Sequence, residues 1–316
     1  MANATVSQIG IDNGAGSATG LFLKVFGGEV LAAFNEENKF LARTMSRSIS
    51  SGKSAQFPAI SKTTAQYHTA GAEIVGQEIG HTERVVTIDS LLISDHFLSS
   101  VDDAMNHYDV RSEYSFQAGR SLANALDKRV LQLARIASRA SANLDGTKGV
   151  ASPAGQQVTD ADGDTDADSL VKSIFDAVQI LDENDIPTED RFVALAPAQF
   201  YLLVNSSSKA INRDYGGAGS IAGGDLPRIG GAEIVMTNNL QNGTNVDDDG
   251  GTKYDIDLTN SVAVVAHRSS VATVKLMDVA SEVSWDPRRQ GWLLLAKMLV
   301  GSDYLRPESA VEIITA

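Results

Sequence analysis

DDAMNHYDVRSEYSFQAGRSLANALDKRVLQLARIASRA, residues 102–140, reads as one long amphipathic helix preceded by a short capped turn. Tyr114, Ala118, Leu122, Leu126, Val130, Leu133 and Ala137 recur at steps of three and four, which places them on a single slowly winding stripe. Arg111, Glu113, Arg120, Asp127, Lys128, Arg135 and Arg139 fall mostly on the other faces, so one buried side and one wet, charged side are expected. A helix of about thirty residues is ~45 Å long and needs a partner running beside it. Ser100 with Asp103 forms a capping-box pattern, and Asp109 offers a second start. Gly119 inside the helix costs about 1 kcal/mol relative to Ala, which predicts a bend or the close approach of another backbone.

Around this helix, 316 residues allow a full core in one or two domains, and 43% hydrophobic with 21% charged residues is ordinary for a folded soluble chain. No apolar run approaches the ~18 residues of a membrane span. The opening MANATVSQIG has no basic region followed by an apolar stretch, so export by a standard signal is not expected. The absence of cysteine excludes disulfides and thiolate metal sites. A formal charge of -14 excludes a surface built to neutralise phosphates, so any DNA it meets is not gripped.

Residues 1–20 are small, polar and aperiodic, and are expected to be mobile unless a partner orders them; Gly14, Gly16 and Gly20 miss the dinucleotide fingerprint by one position. LFLKVFGGEVLAAF (21–34) is apolar, with a helical period broken around Gly27 and Gly28 and no obvious local partner. From 45 to 98 the pattern alternates between turns, with a strand at 85–93; Phe57-Pro58 demotes its own strand to an edge. Gly52-Lys53-Ser54 lacks the first glycine of a phosphate loop, because Arg47 stands there. The segment 51–83, with turn residues Gly52, Pro58, Gly71, Gly76 and Gly80, is too polar to carry a core. It reads as a two-stranded excursion that depends on a neighbouring molecule. Its candidate contacts are Lys53, Lys62, Glu73 and Glu78, with Phe57 as the apolar anchor.

Beyond the long helix, the alternating Asp160, Asp162, Asp164, Asp166 and Asp168 resemble a calcium loop but lack its glycine at Thr165 and its glutamate at Val171. A solvated acidic loop that caps the next helix is the expectation. That helix covers 169–183 with Leu170, Ile174, Val178 and Leu181 on one face, followed by a buried strand at 191–196 and a short helix from Pro197 to Val204. Residues 212–225 form a glycine-rich loop, and 245–256 holds only the first half of a calcium loop. Strands are expected at 232–237, 262–266, 271–277, 279–285, 292–300 and 311–315. His68, His81, His96, His107 and His267 show no metal-ligand spacing, and no catalytic motif occurs. The residues therefore describe an α+β body with a loose N-terminal arm and a projecting hairpin, features of a subunit completed by its neighbours. A calcium-binding adhesin or surface-layer protein is the rival reading, and a hydrolase comes third.

KVFGGEVLAAF (24–34), RSISSGKSAQFP (47–58), HTERVVTID (81–89), DAMNHYDVRSEY (103–114), HRSSVATVKLMD (267–278) and LRPE (305–308) closely resemble the major capsid proteins of short-tailed, podovirus-type phages. The resemblance implies the Hong Kong type phage-capsid fold. On that template 1–50 is the N-arm, 51–90 the E-loop, 91–167 the P-domain with its spine helix, 168–262 the A-domain, and 263–316 the return to the P-domain. Tyr114, Leu122, Leu126, Val130 and Leu133 are then the spine-helix core. The resemblance further implies a non-catalytic, cofactor-free subunit that forms hexamers and pentamers, a scaffolding protein, a portal at one vertex, packaged double-stranded DNA without specific binding, no membrane, and assembly in the host bacterial cytoplasm. An acidic inner face would let DNA slide.

Overall fold

The computed structural model describes residues 6–7, 16–60, 65–71, 73–74, 76, 79, 81–100, 111–141, 154–205, 228–243 and 253–316. Four helices organise them: α1 (Gly16–Glu37), α2 (Arg111–Arg139), α3 (Ala167–Glu183) and α4 (Pro197–Asn205). The spine helix is α2. Ala118, Leu122, Leu126, Val130, Leu133 and Ala137 are buried along it and Tyr114 is half-buried, as the periodicity predicts. The capping positions Asp103 and Asp109 lie outside the described residues.

The wet side of α2 is present at Glu113, Arg120 and Arg139, which are exposed, but it is narrower than expected. Asp127, Arg129, Gln132 and Arg135 are buried as well, because α1 and two sheets surround the helix. Arg129 lies over the Tyr254 ring, 5.3 Å from its centre, and the other buried charges have backbone or carboxylate partners. Asp127 accepts the N–H groups of Lys39 (3.0 Å) and Phe40 (3.3 Å), just past the end of α1, and Arg135 donates to the carbonyl of Gln241 at 2.7 Å. Arg139 holds the fully buried Glu312 with two hydrogen bonds, 2.6 and 2.8 Å.

The apolar segment 21–34 does have an internal partner, and it is α2. Its helix runs unbroken through Gly27 and Gly28, and Phe26, Val30, Ala33 and Phe34 are buried against the spine. The glycines lower helix propensity without ending the helix, since packing of the apolar face outweighs about 1 kcal/mol per glycine. Of the stretch expected to be a mobile arm, residues 6–7 form a strand and 16–20 open α1; 1–5 and 8–15 lie outside the described residues.

Two sheets flank α2. The first has the order β1-β5-β12-β11-β2, from β1 (Val6–Ser7), β2 (Met45–Ser48), β5 (Leu92–Ser99), β11 (Val271–Asp286) and β12 (Gly291–Tyr304). The two strands expected at 271–277 and 279–285 are one long strand, β11, which absorbs the break through register shifts between Lys275 and Ala280. Leu294, Ala296, Met298 and Val300 of β12 face the helices, and alternation turns Leu293, Leu295 and Leu299 to the other side.

The second sheet runs β6-β13-β10-β7-β9-β8, from β6 (Gln156–Thr159), β7 (Arg191–Leu195), β8 (Arg228–Ile229), β9 (Ala232–Met236), β10 (Ser261–His267) and β13 (Ala310–Ile314). Its central strands are buried on both faces. Phe192, Ala194, Val264 and Ala266 meet α2, while Val193, Leu195, Val265 and Val311 meet α3 and α4. This explains the continuous apolar runs. β6 stands in a stretch expected to be loop; it is a polar edge strand paired only with β13 among the described residues.

Candidate assembly interface

β3 (Ser54–Ile60) and β4 (His81–Thr87) pair antiparallel over seven residues, from Ser54 opposite Thr87 to Ile60 opposite His81, and belong to neither large sheet. The expected two-stranded excursion is therefore present. The strand expected at 85–93 is instead split, with β4 ending at Thr87 and β5 starting at Leu92, because the chain passes there from ribbon to sheet.

The root of the ribbon is built into the body. Ala55 and Val86 are buried on Ala272 and Val274, with Ile49, Phe57, Ile88 and Leu305 around them. β12 makes room with Gly301, where a methyl group would stand 2.1 Å from the carbonyl oxygen of Thr87. The Arg84 guanidinium lies 4.1 Å from the centre of the Tyr304 ring and 3.3 Å from Asp303. Arg47 donates to the Gln56 carbonyl at 3.0 Å, and the Gln56 amide donates to Glu83 at 3.1 Å. Just past β4, Asp89 accepts from Lys253 at 2.8 Å and from the hydroxyl of Tyr254. Burial, and then the Asp89 carboxylate, push the Tyr254 phenol well above its ordinary range, so it stays a donor.

Further out, the large apolar side chains among the described residues of the ribbon stand exposed. Ile60 is 64% exposed, Ile74 75%, Tyr67 fully exposed and Ile79 exposed. Of the residues expected to make contacts, Lys53 is exposed at the root, where its carbonyl accepts from Ile88 N–H at 2.9 Å, and Glu73 is exposed. Lys62 and Glu78 lie outside the described residues. Phe57 is half-buried and packs on its own root cluster. Among the described residues beyond the root, the exposed large apolar side chains are thus Ile60, Tyr67, Ile74 and Ile79, with Val85 exposed on β4 itself. The signal for them was their type: large apolar side chains in a segment too poor in them to form a core.

The acidic loop is occupied with local structure. Asp166 accepts Ser169 N–H at 3.3 Å as the cap of α3. Asp160 accepts from the Ser169 and Ser173 hydroxyls, which outweigh the upward push of burial and hold its carboxyl below the ordinary range. Among the described residues no three His, Asp or Glu side chains are grouped to hold a metal; 244–252, with the second acidic loop, lies outside them.

A family model described as Gp10A-like major capsid protein matches residues 56–314. The major capsid protein of Escherichia phage T7 is 34% identical over 97% of this chain and 96% of its own length, and that of Enterobacteria phage T3 36% identical over the same shares. A chain of the capsid structure of cyanophage P-SCSP1u superposes with a TM-score of 0.79 at 36% identity, covering 100% of this chain and 99% of the other. A virus-like particle from Pyrococcus furiosus, at 13% identity and a TM-score of 0.58, with 92% of this chain and 99% of that one covered, shares the fold alone. The α+β fold is thus the Hong Kong type tailed-phage capsid fold, with its N-terminal helix, ribbon and spine, and the chain belongs to the Gp10A-like family of major capsid proteins.

Proposed function

We propose that this chain is the repeating, non-catalytic subunit of an icosahedral head, arranged as hexamers and pentamers around double-stranded DNA, and that the ribbon is the clamp between neighbours. The observation that carries the clamp is the bare outer ribbon: Ile60, Tyr67 and Ile74 are exposed on a two-stranded segment that cannot bury them itself. A neighbouring subunit supplies the missing surface. On this reading 1–50 is the N-arm, 51–90 the E-loop, 91–167 and 263–316 the P-domain, and 168–262 the A-domain. Assembly takes place in the host cytoplasm with a scaffolding protein and a portal at one vertex. The net charge of -14 supports a shell that encloses DNA without holding it.

The test keeps the buried root and removes the rest. Replacing 60–81 by a short Gly-Ser linker should leave a folded, soluble subunit with unchanged circular dichroism that forms no closed shells by electron microscopy. Closed shells at the parent's concentration would overturn the clamp.

A further inference from the structure

Arg135 and Arg139 stand one turn apart near the end of α2, and their guanidinium groups are used alike only in part. In Arg139, Nη1 donates to the carbonyl of Asp257 at 2.6 Å. Its parallel donors Nε–H and Nη2–H hold the two carboxylate oxygens of Glu312 at 2.6 and 2.8 Å. In Arg135, Nη1 likewise donates to a carbonyl, that of Gln241, at 2.7 Å. Its Nε and Nη2, the edge that takes a carboxylate in Arg139, have no partner among the described residues. Yet Arg135 is 1% exposed.

Two charged donors left unpaired in the interior cost far more than an ordinary hydrogen bond gains. The charge is unbalanced as well. Glu312 and Arg139 are the charged groups that act on Arg135, so two arginines face one glutamate. The negative end of α2 offsets only about half a charge of that excess. Burial lowers the Arg135 pKa to about 10, which still leaves the group charged at neutral pH.

We propose that the Nε/Nη2 edge of Arg135 binds one small monovalent anion, which does for Arg135 what Glu312 does for Arg139. Two parallel N–H donors suit a halide or a small oxyanion, and the depth of the side chain admits nothing larger. A water molecule would accept both hydrogen bonds and leave the positive charge uncompensated; an anion answers both needs. On Gln241 the buried amide oxygen also has no partner among the described residues, and with the amide turned over its NH2 becomes a further donor in the same region. The folded subunit takes up the anion and the unfolded chain does not, so stability follows the anion's concentration.

The experiment uses the full-length, dissociated subunit with chloride as the probe. Thermal midpoints are read by circular dichroism as sodium chloride replaces sodium gluconate at constant ionic strength, which holds surface screening fixed while offering an anion too large to enter. The parent's midpoint should rise by a few degrees and level off as the site fills. Arg135→Met removes the fork but keeps much of the volume, and an apolar replacement of a buried charge is compatible with folding. Its midpoint should not respond to chloride. A crystal of the parent grown in bromide should show an anomalous peak at the Nε/Nη2 edge of Arg135, which decides the matter alone if Arg135→Met fails to fold. A parent indifferent to chloride, a response that persists in Arg135→Met, or density without anomalous signal at the fork, as a water would give, would each overturn the proposal. These readings concern the single subunit and stand apart from whether the ribbon is the intersubunit clamp.

Discussion

Gly119 of α2 lies directly against the backbone of Val30 in α1: a methyl group placed on Gly119 would stand 2.4 Å from the Val30 carbonyl oxygen and 3.0 Å from the Phe34 nitrogen. The two helices therefore meet backbone to backbone, and the glycine that weakens the spine helix is what lets α1 bury Phe26, Val30 and Phe34 on it. Gly119→Ala gains about 1 kcal/mol of helix propensity. It must also push a backbone aside, and overpacking of this kind costs typically 1–3 kcal/mol. Because the atom met at 2.4 Å is backbone and cannot rotate away, the upper part of that range, about 2–3 kcal/mol, applies; the variant should be less stable by about 1–2 kcal/mol in urea unfolding, and Gly119→Val more so. A Gly119→Ala subunit as stable as the parent would contradict this close approach.

The spine core itself is tested by Leu126, which is 1% exposed within the core that α2 shares with α1 and both sheets. Leu126→Ala should cost about 2–5 kcal/mol through lost burial and the cavity left behind. Leu126→Asp, which buries a carboxylate without a partner, should abolish soluble expression, since several kcal/mol is a large part of a domain's stability. A soluble Leu126→Asp chain that still forms shells would exclude Leu126 from the core.

Asp127 should give the subunit a distinctive pH dependence. Burial raises its pKa to about 6, against the hydrogen bonds from Lys39 and Phe40 that lower it. A folded pKa above the unfolded value of 3.8 means that folding takes up a proton between these limits. Ionised Asp127 therefore costs stability above pH 6, by about 3 kcal/mol at ~1.4 kcal/mol per unit, and that cost vanishes as pH falls toward 4. Asp127→Asn has no such titration. Relative to the Asn variant, the parent should gain stability as pH is lowered from 7 to 4.5, measured by urea midpoints at each pH. Parallel curves for the two chains would mean that Asp127 is not titrating in this window.

Much of this architecture was legible wherever an element's partners act through ordinary periodicity. The stripe of α2, the face of α3 with Leu170 and Ile174, and the doubly buried β7 all carry their pattern within the element. Two of the errors share a cause, a partner distant in sequence. α1 looked broken at Gly27-Gly28 because the surface that sustains it is α2, about ninety residues later. Asp127 and Arg135 looked solvated because charged side chains usually are; their partners are backbone groups at 39–40 and 241. β11 looked like two strands because its bulges interrupt the alternation. At the ribbon, the two-stranded segment could be read from the sequence, but not which apolar residue faces inward. Phe57 is the largest apolar side chain there, and the same property that suggested a contact with a neighbour draws it onto its own root.

That distinction between root and outer ribbon gives the last prediction. Phe57 packs with Ala55, Val86, Ala272 and Val274, whereas Tyr67 and Ile74 touch no core. Phe57→Ala should therefore lower the stability of the unassembled subunit by about 1–2 kcal/mol, less than a fully buried Phe would cost. It should hinder assembly as well, because a loosened root no longer aims the ribbon. Tyr67→Ser/Ile74→Ser should leave subunit stability unchanged, since exposed side chains lose nothing in the monomer, yet raise the concentration needed for shells, because each intersubunit contact loses apolar burial. Urea unfolding of the dissociated subunit and light scattering of assembly separate the two effects. An unchanged midpoint for Phe57→Ala would remove Phe57 from the root, and assembly of the Tyr67/Ile74 variant at the parent's concentration would show that the outer apolar residues do not meet the neighbouring subunit.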